Sequence, residues 1–110
     1  MFRDDARAFA YDSMALTLAQ EATARGTGRA WPVAHRVFMF LPYMHSESAV
    51  VHEAAVDLFS EPAMEDNLDF EYRHKAIIDR FGRYPHRNAV LGRRSSPQEL
   101  AFLEEPGSRF

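Results

Sequence analysis

The sequence predicts an all-α domain, an irregular antiparallel array of about four main helices and a short C-terminal one. Apolar residues recur at helical spacing in each long segment. Glycine and proline fall at the ends of those segments, and no stretch alternates apolar and polar residues with the period of a half-buried strand. The 110 residues suffice for a single domain, 1–110, able to remove roughly two-thirds of its unfolded surface from water.

The first helix is expected from Asp4 or Asp5 to Arg25, where nothing breaks it and Gly26 follows as a stop. Its apolar stripe comprises Ala8, Phe9, Ala15, Leu16, Ala19 and Ala22, and Asp12 falls on the same side, where an acid needs a partner. A second helix is expected from Pro32 to about Leu41, ended by Pro42 and stapled at its entry by Trp31. With Val33, Val37, Phe38, Phe40 and Leu41 it has little polar face and should be nearly surrounded.

Ser46 is the expected N-cap of a third helix running to Ser60, which would set Glu47 in its first turn and bury Val50, Val51, Ala54, Ala55, Leu58 and Phe59. The fourth, Leu68 to Phe81, ends at Gly82 as its left-handed cap. Phe70, Ile77, Ile78 and Phe81 form its inward stripe, with His74 inside it. Pro85 holds Tyr84 out of helical geometry, and Asn88 caps a short turn through Leu91 before Gly92. Ser96-Pro97-Gln98-Glu99 spells a capping box with proline at the first helical position. The helix it opens reaches about Glu104 and turns Leu100 and Leu103 inward.

Composition removes several function classes. Apolar residues at 46% and aromatics at 13% describe a packed globule rather than a disordered chain. A net charge of -3 gives no general attraction to nucleic acid or anionic lipid. Arg80, Arg83, Arg87, Arg93 and Arg94 could face phosphate, but Asp79 and the acidic residues of 61–71 weigh against a nucleic-acid partner. No apolar run approaches the roughly 20 residues of a membrane span, so no membrane role is expected and the cytoplasm is the natural compartment. Without cysteine there is no disulfide frame or thiolate metal site, and the histidine and carboxylate spacings match no ligand motif, so no cofactor is expected. Lys75 is the one lysine among 13 basic residues; the arginine forks suit ion-pair networks or an anion site.

Chemistry-bearing residues concentrate in two stretches, Met44-His45-Ser46-Glu47 and Phe81-Gly82-Arg83-Tyr84-Pro85-His86-Arg87-Asn88, each beside an expected helix end. If these converge with the inward face of the fourth helix, Asp12, His45, Glu47, His74, Arg83, His86, Arg87 and Asn88 form a candidate pocket. Three imidazoles and a carboxylate could do acid–base work there, while Arg83, Arg87 and Asn88 orient an anion. No nucleophile stands out, because Ser46 beside His45 is better used as a cap.

The order and spacing of Tyr43-Met44-His45-Ser46-Glu47, His74 three residues before an Ile pair, the 81–88 motif, Leu91-Gly92-Arg93 and Ser95 to Glu99 resemble the bacterial domain of unknown function 924 family. The resemblance covers essentially the whole chain and implies an all-helical, tetratricopeptide-like fold without an established activity. Relatives usually carry a further N-terminal portion, and this chain starts just after it. His52 stands where the family tends to have glutamine, and Glu71 where it tends to have a small residue. A missing helix layer would leave apolar surface uncovered, so self-association is expected. The function expected is a binding or scaffold module with a polar His/Arg pocket for a small anionic ligand or a protein partner. The alternative is a metal-free or metal-assisted enzyme acting on a small anionic substrate.

Overall fold

A computed structural model describes Phe9 and residues 11–109. Within them the chain is helical without a strand: α1 Asp12–Ala24, α2 Val33–Met44, α3 Ala49–Leu58, α4 Glu65–Phe81, a 3-10 turn Pro85–Arg87 and α5 Pro97–Leu103. The part of the first helix expected before Asp12 lies outside the described residues, apart from Phe9 and Tyr11. Helix α2 is central, packing on α1, α3 and α4, while α3 also packs on α4 and α5 docks on the 3-10 turn.

Two apolar clusters follow from this order. Ala19, Phe40, Tyr43, Met44, Ala55, Phe59 and Met64 form the larger, with Phe40 and Phe59 meeting edge to face at 5.8 Å. Ile77, Ile78 and Tyr84 form the smaller, extended by Phe81 and Phe102, whose ring centroids lie 5.0 Å apart beneath the Arg80 guanidinium.

Several boundaries differ from expectation for identifiable reasons. Pro42 does not stop α2. It removes one N–H bond in the last turn, but the next donors still find acceptors, as where the His45 N–H donates to the Leu41 carbonyl at 3.0 Å, and the helix reaches Met44. Ser46 is not the cap of α3. Its Oγ accepts from the Ser48 N–H, closing a local turn, and Ser48 becomes the cap by accepting from Val51. The helix thus starts later than expected, and Glu47 stands ahead of it instead of in its first turn. Helix α4 starts earlier than expected, at Glu65, with Glu65 and Asp66 in the first turn, where carboxylates favour the helix dipole.

Facing differs too. Phe38 is 73% exposed, so α2 is not surrounded; Val50, Phe70 and Leu100 also face water. Ala55 on α3, Phe59 at its end, and His74, Ile77 and Ile78 on α4 are buried as expected, and the polar residues His52 and Glu71 join those rows. On α5 it is Phe102 that packs inward, against Phe81. Trp31 is largely exposed and lies over the Gly28 backbone, where φ is +83° and an added Cβ would come within 2.8 Å of the indole.

Strictly local signals hold as expected. Gly82 caps α4 at φ +73°. Ser96 Oγ accepts from the Glu99 N–H at 3.1 Å while Glu99 accepts from the Ser96 N–H at 2.9 Å, completing the capping box.

Candidate functional site

The turn after α4 is pinned from both sides. Tyr84 is buried, and its hydroxyl donates to the Met44 carbonyl at 2.6 Å. Its backbone N–H donates to Glu47 at 2.6 Å, and Arg93 clasps the same carboxylate through Nη1 at 2.9 Å and Nη2 at 3.1 Å. Burial alone would push the Glu47 carboxyl up, but the Arg93 and Tyr84 hydrogen bonds outweigh it and hold the group below its usual range. The loop 45–48 is thereby tied to the 3-10 turn, and that tie aims Arg87.

Arg87 is a buried cation packed against two rings, with its guanidinium carbon 4.4 Å from the Phe9 centroid and 4.8 Å from that of Tyr84. Its directional contacts are made at the edge of the guanidinium. There Nη2 donates to the His45 carbonyl at 2.9 Å, and Nη1 stands 3.7 Å from Asp12, an ion pair beyond hydrogen-bond length.

Around this cation lies a cavity of about 240 Å³ lined by Phe9, Asp12, His45, His74, Tyr84, His86 and Arg87. It shares Phe9, Asp12, His45 and Arg87 with a wider cleft of about 550 Å³, whose other walls include Leu16, Phe38, Leu41, Pro42 and Leu91. One chamber is polar, and the cleft beside it is largely aliphatic and aromatic.

Residues 1–107 match the model of a family described as bacterial protein of unknown function (DUF924). The chain belongs to that family. It is also similar to the solved structure of a protein of unknown function from Agrobacterium tumefaciens, with 37% identity over 94% of this chain and a TM-score of 0.85. The match spans 58% of that protein's chain. No curated protein matches.

In this DUF924 domain, burial sets the charge of the inner chamber. It pushes His74 down to about 4, against the opposing pull of the Phe70 carbonyl, and pushes His86 to about 4 with help from Arg87 and Arg109. Desolvation first, and the Arg87 charge second, lower His45 as well. At neutral pH His74 and His86 are therefore uncharged. His74 Nδ1 is 2.7 Å from the Phe70 carbonyl, which can only accept, so that nitrogen carries the proton and Nε2 is the acceptor. Arg87 supplies the chamber's fixed positive charge and Asp12 its carboxylate.

The structure thus gathers Asp12, His45, His74, His86 and Arg87 around one cavity and puts Glu47 on the rim of the cleft. Arg83 and Asn88 line neither chamber. Arg83 grips Glu99 through two bonds of 2.8 and 2.7 Å, which pulls the Glu99 carboxyl down to about 2. Asn88 accepts from Arg93 and donates to Ser95, holding the 88–95 connection closed. Sequence reasoning overlooked Tyr84 and Arg93, since neither stands out as a ligand group by type. It also missed the role of Phe9 as a lid on Arg87, which no apolar-stripe argument separates from ordinary core packing. Among the described residues no three His, Asp or Glu side chains are grouped to hold a metal ion.

Proposed function

We propose that this domain is a binding module whose His/Arg chamber takes a small anionic ligand. The observation that carries the reading is the state of Arg87: desolvated, packed against two aromatic rings, and facing Asp12 from 3.7 Å, so that its edge suits a planar oxyanion. A ligand carboxylate or phosphate would compete with Asp12 for that edge, while neutral His74 and His86 add no further charge. The proton acceptor His74 Nε2 is also one component of acid–base chemistry, and it is the specific feature favouring the enzymatic alternative.

Thermal denaturation with acetate, phosphate and sulfate is expected to show a rise in Tm with concentration, worth roughly 2.7 kcal/mol at a hundredfold excess over Kd. The rise should be lost in Arg87→Lys, which keeps the charge and gives up the fork. An equal rise in that variant, or none in the wild type, would sink the reading.

We also propose that the module self-associates. Tyr11, Met14 and Leu18 recur along one side of α1 and are exposed by 73%, 61% and 60%. Sedimentation at micromolar concentration should give a mass above the monomer's 12.6 kDa, restored to the monomer by Leu18→Glu. A monomeric wild type refutes this.

A further inference from the structure

We infer that the ligand of this site is an amphipathic monocarboxylate, with its carboxylate on the edge of Arg87 and its apolar body along the neighbouring cleft. The inference rests on the anion-binding reading above and adds the chemical class. Two observations about shape and composition lead to it.

The first is continuity. The polar chamber of about 240 Å³ shares Phe9, Asp12, His45 and Arg87 with the cleft of about 550 Å³, so a molecule held at the guanidinium has a path between them. Beyond that shared wall Leu16, Phe38, Leu41, Pro42 and Leu91 make up most of the lining, beside the polar Ser13, Ser46 and Glu47. Phe38 is 73% exposed, a large aromatic left uncovered on the cleft side of α2. Covering these side chains would remove apolar surface from water, which an inorganic anion cannot do.

The second is charge. Arg87 is the cation of the inner chamber, and Asp12 stands 3.7 Å from it. On the rim, Glu47 is already neutralised by Arg93. His74 and His86 stay uncharged at neutral pH, so one negative charge of a ligand is matched where it displaces the half-exposed Asp12 carboxylate from Arg87, and a second is not. A dianionic phosphate monoester would bring that unmatched charge into a desolvated chamber. A carboxylate brings one charge and two coplanar oxygens, the same group that Asp12 presents to Arg87.

The test is titration calorimetry of the full chain at pH 7 with acetate, butanoate, hexanoate and octanoate, and with octanol and octyl phosphate. Affinity should rise about fourfold per methylene from butanoate to octanoate, at one ligand per chain. Octanol and octyl phosphate should each bind at least tenfold more weakly than octanoate. Arg87→Gln should lower octanoate affinity to that of octanol, and Phe38→Ser should flatten the chain-length series. Asp12→Asn, at a half-exposed side chain, should tighten octanoate severalfold by removing the competing carboxylate, and it keeps the test open if Arg87→Gln does not fold. If short anions bind through Arg87 with no gain along the series, the amphipathic class is wrong while the anion site stands. Octyl phosphate binding as well as octanoate overturns the monocarboxylate assignment. Octanol binding as tightly as octanoate, or octanoate affinity unchanged in both Arg87→Gln and Asp12→Asn, overturns the anion site as well.

Discussion

Glu71→Ala is expected to destabilise the domain by about 3–5 kcal/mol, a large part of the roughly 5–15 kcal/mol available to a domain of this size. Glu71 on α4 and His52 on α3 are both fully buried, with Oε2 2.8 Å from Nδ1. The other ring nitrogen, Nε2, lies 2.6 Å from the Ser46 carbonyl, which can only accept, and 3.0 Å from the Tyr84 hydroxyl. Nε2 therefore carries a proton. The bond between Nδ1 and Glu71 then holds either an imidazolium against a carboxylate or a neutral ring accepting from a carboxylic acid. Burial raises the Glu71 carboxyl, against the pull of His52, and so favours the shared-proton arrangement over two separate charges. Alanine would leave Nδ1 in a dry core without a partner and open a cavity between two helices. Glutamine could still donate an amide N–H to Nδ1 of a ring protonated at Nε2, so Glu71→Gln should cost markedly less than Glu71→Ala. Urea denaturation of the three proteins checks this; an alanine variant within 1 kcal/mol of wild type would show that the pair contributes little.

That pair also marks the limit of what the sequence discloses. The α4 end at Gly82 and the Ser96–Glu99 capping box are legible because each is settled within a few residues by backbone conformation and one reciprocal hydrogen bond. The inward turn of His74 is legible because it lies in phase with Ile77 and Ile78. The inward face of α3 is legible only in part: Ala55 and Phe59 are buried as expected and Val51 and Leu58 pack on the core, but Val50 faces water. His52 joins the buried row because Glu71 is there to receive it, 19 positions away. Hydrophobic patterning places histidine and glutamate on the surface by default, so a core whose specificity lies in a polar pair is read without that pair. The site shows the same asymmetry. Its residue types announce themselves in two short motifs, but which arginine meets which carboxylate is tertiary. Arg83 and Arg87 are equivalent by composition and spacing. Glu99, capping a helix that docks on the turn, takes the first; Phe9 and Tyr84 clamp the second.

Stability should fall as pH drops from about 6.5 towards 4, before the arginine-paired carboxylates Glu47 and Glu99 lose their contribution. His74 and His86 have native values of about 4 against 6.5 for an unhindered imidazole. Between these limits the unfolded chain binds protons that the native chain refuses, so stability is complete above 6.5 and is lost as pH falls through the window. For the well-buried His74 this amounts to about 3 kcal/mol at full extent. Other groups act elsewhere or in the opposite sense. Glu99, held near 2, loses its contribution only below the ordinary carboxylate value of 4.5, and Glu47 is lowered in the same sense. Glu71, whose value is raised, gains stability as it protonates and offsets part of the histidine loss. His74→Asn separates these contributions, because its amide N–H can replace Nδ1 at the Phe70 carbonyl without titrating. Urea midpoints at pH 7, 5.5 and 4.5 should decline in the wild type and decline less steeply in His74→Asn; equal slopes would remove His74 as the origin. The same experiment bears on the ligand site. A carboxylate bound at Arg87 would be joined by His74 and His86, which charge only near pH 4, so these two should leave its affinity nearly constant from pH 7 to 5.5 while the fold itself weakens.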